Sequence, residues 1–249
     1  MNVLTKVVIP ARYNSSRLPG KPLLLINNKP IFWHVVQRVL EAGVLLEDVI
    51  VATDEKKILS LAVELKVPVI MTSDEHASGT DRINEVAKLS KWPSDTVILN
   101  VQGDEPLIPP ALIKELIAFT RQNIQFDITT AISALTSKAD LLNVNIVKAI
   151  MGADNCALYF TRAPAPFNRD NPSDFSLAFR HIGIYAYKKC ALEKFCLYKE
   201  APLEKYEKLE QLRALSNGMS IGAMVFNEAP EHGVDTLQDY QRLKELMEA

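Results

Sequence analysis

The chain has 249 residues, 48% hydrophobic and 23% charged, with 28 Lys plus Arg against 30 Asp plus Glu. That length carries a sizeable core without staples, and the balance excludes an intrinsically disordered chain. A net charge of −2 excludes the basic surface of a general nucleic-acid binder.

The three cysteines, Cys156, Cys190 and Cys196, have no Cys-x-x-Cys spacing. Neither a disulfide framework nor a structural zinc site is expected, and a reducing, cytoplasmic setting is. The longest run without Asp, Glu, Lys or Arg, residues 214–227, contains Asn217, Gly218 and Ser220. It is shorter than the ~18 apolar residues of a membrane span, and no apolar signal segment opens the sequence.

Taken in order, β-branched apolar runs alternate with stretches of helical period. Residues 7–9 read as a buried strand. Residues 31–42 read as a helix, with Ile31, Val35, Val36, Val39 and Leu40 on one face and Gly43 as its stop. A strand at 49–53, a helix at 55–65, a strand at 67–71, a helix at 80–91 and a strand at 96–101 follow. This alternation implies right-handed crossovers and a mainly parallel sheet.

The second half is more mixed. Helix 110–121, strands 128–133, 146–150 and 181–187, helix 203–214, strand 221–225 and helix 236–247 are expected. Pro164, Pro166 and Pro172 mark residues 163–173 as a surface loop. No repeat, low-complexity tract or linker divides the chain. The expected class is a single α/β domain over residues 1–249, Rossmann-like and mainly parallel with a smaller mixed sheet region.

Charge is unevenly placed. Lys6, Arg12, Arg17, Lys21, Lys29 and Arg38 all precede the first acid, Glu41. Three of these cations lie in the loop 10–22, directly after the first strand. In open α/β sheets ligands bind beyond the carboxyl ends of strands, so this loop reads either as a solvated basic turn or as a polyanion cradle. Cations among small residues with free N–H groups suit a triphosphate. A Walker A loop would need glycine at 15 and Ser or Thr at 22, where Ser15 and Pro22 stand, and no two glycines are spaced Gly-x-Gly.

The fourth strand runs into Gln102-Gly103-Asp104-Glu105-Pro106. Its acids either begin a turn or supply oxygen ligands for Mg²⁺, which takes one or two carboxylates plus substrate phosphates. Asp235, before Thr236-Leu237, reads as a helix N-cap or as a second ligand. Ser78-Gly79-Thr80 places small polar groups and N–H donors at a helix start, with Arg82 in the first turn and His76 just before.

Three segments carry a resemblance. Ile-Pro-Ala-Arg-Tyr-x-Ser-x-Arg-Leu-Pro-Gly-Lys-Pro-Leu, Asn-Val-Gln-Gly-Asp-Glu-Pro and Gly-Val-Asp-Thr resemble signatures of the 3-deoxy-manno-octulosonate (Kdo) cytidylyltransferases, and the match runs in order from about residue 6 to 247. The resemblance implies a nucleotide-diphospho-sugar transferase fold, a homodimer, and transfer of CMP from CTP to the sugar acid Kdo for lipopolysaccharide assembly. It implies Mg²⁺ on Asp104 and Asp235, and catalytic roles for these and for Arg12 and Lys21. Ala11, Arg12, Lys21, Ser78, Gly79, Arg82 and Gln102 would contact CTP.

Because Kdo is a carboxylate, its pocket calls for arginine forks. The resemblance assigns it Gln102, Arg162, Arg169, His181, Gly183, Tyr185, Glu210, Gln211 and Arg213. Residues 143–148 and Phe167 depart from the family pattern on the sugar side, and an 8-amino-Kdo or another sugar-acid substrate is the alternative. A silent nucleotide-binding protein on the same fold is the alternative of a different class, opposed by the presence of both acids and both loop cations. The sequence has no Asp-x-Asp, which disfavours a glycosyltransferase.

Overall fold

The computed structural model describes residues 4–13, 17–76, 78–228 and 230–248. Its frame is a nine-stranded sheet. Besides β1 (Thr5–Pro10), the N-terminal part holds a small separate hairpin, β2 (Leu25–Ile26) with β3 (Lys29–Pro30). With β4 (Val49–Thr53), β5 (Val69–Met71) and β6 (Val97–Asn100), β1 makes the parallel run β6-β1-β4-β5. The later strands continue the sheet: β7 (Ile128–Ala134), β10 (Phe179–Lys188) and β11 (Ile221–Val225). β10 lies antiparallel between β6 and β7, and β11 pairs parallel with β7. β8 (Lys148–Met151) and β9 (Ala157–Thr161) form an antiparallel ribbon attached to the start of β10. The mainly parallel sheet with a smaller mixed region is as expected.

Side chains alternate across the strands, so each strand feeds two cores. Val7 and Ile9 join Val35, Val36 and Val39 of α1 (Ile31–Glu41), Ile58 and Ala62 of α2 (Lys56–Glu64), and Leu112 and Leu116 of α4 (Pro110–Gln122). Val8 and Ile98 join Ile83 and Val86 of α3 (Gly79–Leu89), Leu192 and Phe195 of α6 (Lys189–Leu197), and Leu212 of α8 (Gln211–Ser216). Both faces of the sheet are covered, as parallel strands require.

A third, smaller cluster returns the C-terminus to the first loop. Ile26, Ile31, Val234 and Leu243 are buried together. The helix α9 (Leu237–Glu248) lies on the hairpin, with the Tyr240 hydroxyl donating to the Leu25 carbonyl at 2.7 Å and Asn27 Nδ2 to the Met247 carbonyl at 2.8 Å. Asn27 and Asn28, at φ 47° and 59°, supply the left-handed turn this hairpin needs.

The structure corrects several expectations. The expected helix 203–214 is two helices, α7 (Pro202–Glu207) and α8, separated at Lys208, which adopts φ 55°, ψ 47°. The apolar period misled because Leu203 and Tyr206 are 46% and 90% exposed while Leu209 and Leu212 are buried. The strand expected at 67–71 begins at Val69, since the Val67 N–H instead closes α2 on the Ala62 carbonyl. The strand expected at 146–150 begins at Lys148. The β2–β3 hairpin, α5 (Lys138–Leu142), β9 and α6 were not expected; β9 occupies the stretch Tyr159–Thr161 just before the proline-rich loop. Among the described residues no helix is long and apolar enough to cross a membrane.

Lys208 sits in a region that costs an L-residue about 1–2 kcal/mol, against about 0.5–1 kcal/mol for the extra chain entropy of glycine. Lys208→Gly is therefore expected to raise the unfolding free energy slightly and Lys208→Val to lower it, both read by urea denaturation.

Candidate active site

A cleft of about 920 Å³ opens beyond the carboxyl ends of β1 and β6. Of the candidates from the sequence, Arg12, Lys21, Ser78, Gly79, Gln102, Asp104, Glu210, Arg213 and Asp235 line it. Arg17, Thr80, Asn100, Glu204 and Lys208 line it as well.

The first loop is shaped by its glycine. Gly20 takes φ 71°, its N–H donates to the Tyr13 carbonyl at 2.8 Å, and a short 3₁₀ turn (Lys21–Leu23) follows. The turn sends the Lys21 side chain into the cleft. Its ammonium donates to the Asp104 carboxylate, to Asp235 Oδ1 at 3.3 Å and to the Val234 carbonyl at 3.0 Å. Arg17 Nη2 lies 2.9 Å from Asp235 Oδ1. Arg12 makes no ion pair among the described residues and is exposed on the cleft wall. Asn14, Ser15 and Ser16, the small residues read as N–H donors, lie outside the described residues, as does Ala77.

Backbone contact brings the two acid segments together. The Val234 N–H donates to the Asp104 carbonyl at 2.8 Å. A Cβ on Gly103 would lie 2.6 Å from the Pro10 carbonyl oxygen, and one on Gly233 would lie 2.9 Å from the Asp104 carbonyl oxygen. Only glycine permits either approach. Beside them, burial and the Asp104 charge push Glu105 up to about 8, so near neutral pH it is mostly protonated.

Asp235 is not the helix cap that its position before Thr236 suggests. Thr236 Oγ1 accepts the Asp239 N–H at 3.2 Å, while Asp239 Oδ2 accepts the N–H of Thr236 at 2.8 Å. With the cap supplied by these two, the Asp235 carboxylate is left to the cleft.

At the entry to α3, Ser78 is the N-cap, accepting the Asp81 N–H at 3.2 Å. Arg82 is not on the cleft surface. It is 0% exposed and pairs with Asp54 at 2.7 Å, with further bonds to Thr72 Oγ1 and the Ser73 carbonyl. Burial lowers its pKa and Asp54 opposes this. Ala11 is likewise buried. His76 is paired with Glu85 at 2.5 Å, off the cleft.

The far end of the cleft is acidic. Arg213 holds Glu204 through both oxygens, at 2.6–3.1 Å, and its guanidinium stacks 4.8 Å from the Phe195 ring centre. Glu210 Oε2 accepts from Thr80 Oγ1 at 2.7 Å; burial raises the Glu210 pKa.

Other sugar-side candidates do not line the cleft. Arg162 donates to the Glu207 carbonyl at 2.8 Å and the Val144 carbonyl at 2.9 Å. Arg169 is 95% exposed beside Asp170. His181 packs edge-on to Phe160 and against Tyr185, with Nε2 3.0 Å from Thr130 Oγ1, and burial lowers its pKa to about 3. Gly183 is exposed, and Gln211 is buried at the start of α8. Asn100 had one signal in the sequence, a polar residue inside an apolar strand; Lys208 had none.

The donor set fits Mg²⁺. Asp104 and Asp235 offer hard oxygen donors that already share one cationic nitrogen. No cluster of three or more His, Cys, Asp or Glu suited to a metal exists among the described residues, so protein alone makes no cage. Two carboxylates with the remaining positions left to water and phosphate is the usual Mg²⁺ arrangement.

Fold and cleft define an α/β protein of the nucleotide-binding kind, in which the loop cations Lys21 and Arg17 pair with the acids Asp104 and Asp235 at the mouth of one cleft. The Cytidylyltransferase family model matches residues 6–221. A 3-deoxy-manno-octulosonate cytidylyltransferase of Nitrosococcus oceani is 41% identical, covering 97% of this chain and 96% of that protein. 3-Deoxy-manno-octulosonate cytidylyltransferase 1 of Actinobacillus pleuropneumoniae is 44% identical, covering 97% and 98%. The solved structure of CMP:2-keto-3-deoxy-manno-octonic acid synthetase complexed with CTP superposes with a TM-score of 0.90 at 37% identity, covering 98% of each chain. The chain belongs to the 3-deoxy-manno-octulosonate cytidylyltransferase family.

Two substitutions test how the site is held. Asp54→Ala leaves the Arg82 charge buried and unpaired, and a loss of about 3–5 kcal/mol is expected by denaturant unfolding. Gly103→Ala forces β1 and the acid loop apart, at a cost of about 1–3 kcal/mol, and calorimetry is expected to show a lowered Tm.

Proposed function

We propose that this protein transfers CMP from CTP to the anomeric hydroxyl of Kdo, releasing pyrophosphate, and so activates the sugar acid for lipopolysaccharide assembly. The observation that carries the reading is the convergence of Asp104 and Asp235 on Lys21 beside Arg12. The kinship with Kdo cytidylyltransferases and the likeness to a CTP-bound synthetase support it.

The sugar hydroxyl attacks the α-phosphorus in line and pyrophosphate leaves. Little covalent chemistry is asked of the protein; positioning and charge neutralisation carry the rate. Asp104 and Asp235 would hold Mg²⁺, which when bound would supply charge neutralisation at the phosphate and acidity at the attacking hydroxyl. Arg12 and Lys21 neutralise the charge that builds on the departing pyrophosphate. The N–H groups at the start of α3, capped by Ser78, face the nucleotide, and buried Arg82 holds that helix start in place through Asp54 and Thr72. Glu210, with Arg213 and Gln102, belongs to the sugar-acid side.

No nucleophilic cysteine is needed. Cys156, Cys190 and Cys196 are free, and burial pushes the Cys196 thiol up to about 12. The enzyme acts in the cytoplasm as a homodimer, for which exposed Leu197 on α6 and Tyr206 on α7 offer apolar surface.

Pyrophosphate release with CTP and Mg²⁺, compared across Kdo, 8-amino-Kdo and N-acetylneuraminate, tests the reading. Kdo is expected to give the highest kcat/KM; a preference for either rival sugar moves the assignment to that substrate, and CTP binding without release from any sugar acid favours the silent protein. Asp104→Asn and Asp235→Asn are each expected to lower kcat roughly a thousandfold with Tm near wild type. Lys21→Met is expected to lower kcat with the KM for Kdo little changed; an unaltered rate would reduce the first loop to a surface turn.

A further inference from the structure

Asn100 ends β6 with 2% of its surface exposed, and it lines the cleft. Its Oδ1 is fully buried and accepts no hydrogen bond. The rest of the strand, Val97, Ile98 and Leu99, is apolar and buried. A leucine at 100 would continue that run, so stability alone gives no reason for an amide there. An unpaired buried acceptor is a standing penalty, and native proteins keep few of them without a use.

No donor of the described residues bonds to Asn100 Oδ1. Tyr185 stands directly opposite Asn100 across the β6–β10 ladder, and Tyr187 beside it is hydrogen-bonded to Thr80. The Thr80 hydroxyl is donated to Glu210 Oε2, and Glu210 Oε1 is itself buried with no partner. Of the buried side-chain polar atoms without a partner among the described residues, Asn100 Oδ1 and Glu210 Oε1 belong to residues that line the cleft, where the Ser78 hydroxyl also approaches Glu210. Those of Arg82, Asn84, Thr96, Ser133 and Gln211 do not. The natural complement of Asn100 Oδ1 and Glu210 Oε1 is a ligand rich in O–H donors. Triphosphate oxygens cannot serve, because they are acceptors themselves; a polyhydroxylated acid can.

The strand order places this pair on the acceptor side. Along β10-β6-β1-β4 the first loop follows β1, and Asp54, which fixes Arg82, follows β4. Asn100 sits on the other flank, next to β10 and two residues before Gln102. We propose that Asn100 is a specificity-determining residue of the sugar-acid subsite, its Oδ1 accepting a hydrogen bond from a substrate hydroxyl alongside Glu210. This rests on the reading of the cleft as a site for CTP and a sugar acid.

The test compares wild type with Asn100→Leu, which keeps the branched heavy-atom skeleton and removes the polar atoms, using Mg²⁺, CTP and Kdo with pyrophosphate release. The KM for Kdo is expected to rise about tenfold with the KM for CTP within twofold. The Tm of the free protein is expected to be equal or higher, a result that a structural role for the amide would not give. An unchanged KM for Kdo, a rise confined to the KM for CTP, or a lowered Tm without a change in KM would each overturn the proposal. Should Asn100→Leu fail to fold, Asn100→Ser carries the same expectations for the two KM values. Absence of release by wild type with every sugar acid would overturn the functional reading first and this inference with it; normal wild-type turnover with an unaffected variant overturns this inference alone.

Discussion

One ammonium group joins three parts of the chain. Lys21 meets Asp104 and Asp235 across sequence separations of 83 and 214 residues. Two carboxylates brought this close repel each other, and in a part-buried cleft water screens that repulsion only in part. Lysine removes the repulsion in the free protein, yet it does not create the approach. Main-chain contacts do: Val234 on Asp104, Gly103 against Pro10, Gly233 against Asp104. These contacts in turn depend on the small core of Ile26, Ile31, Val234 and Leu243, which returns the C-terminal segment to the hairpin beside the first loop. The charged constellation is thus a product of apolar packing and of glycines that allow backbone to touch backbone.

Electrostatics at the whole-chain level hid this arrangement. A net charge of −2 describes an unremarkable surface. Locally, six cations precede the first acid, and the fold sets Lys21 and Arg17 against Asp104 and Asp235 with Arg12 on the same cleft wall. The two signs meet at the mouth of one cleft, so each moderates the other before a ligand arrives. A phosphate entering such a site finds cations already oriented, and a divalent cation finds carboxylates already gathered. The backbone need not move to gather either set; the side chains of Lys21 and Arg17 exchange their carboxylate partners for the incoming ions.

Those parts of the fold governed by local period and β-branched runs were legible in the sequence. The parallel run β6-β1-β4-β5 and its crossover helices were, as was β11, because buried parallel strands read as continuous apolar runs. The loop cations and the acids after β6 were legible as a ligand edge, since strand ends fix where ligands bind in such sheets. What failed was anything decided by tertiary contact. The stripe Leu203, Tyr206, Leu209, Leu212 has helical spacing, but a left-handed Lys208 breaks it and only its second half is buried. Asp235 has the local signature of a cap, and only the competition from Thr236 and Asp239 assigns that task elsewhere. Arg82 lies two residues after the Thr80 that lines the cleft, yet Asp54 draws it into the interior.

Several buried charges are met inside the protein. Arg82 has no exposed surface, yet Asp54, Thr72 and the Ser73 carbonyl take up two of its three guanidinium nitrogens; Glu204 and Arg213 satisfy each other through paired contacts. Lys148, equally buried, gives its ammonium to the Asn143 and Ile146 carbonyls. These groups hold loops and helix ends to the sheet, and satisfying them is what makes their burial tolerable. The rule is not absolute: Asn84 Oδ1, Thr96 Oγ1 and Ser133 Oγ are unpaired away from the cleft, and Asn100 and Glu210 keep oxygens with no partner beside it. What distinguishes Asn100 and Glu210 is their place in the cleft lining, where a substrate can bring the missing donors. Local inconsistency at a ligand edge is what binding sites impose on the sequences that carry them.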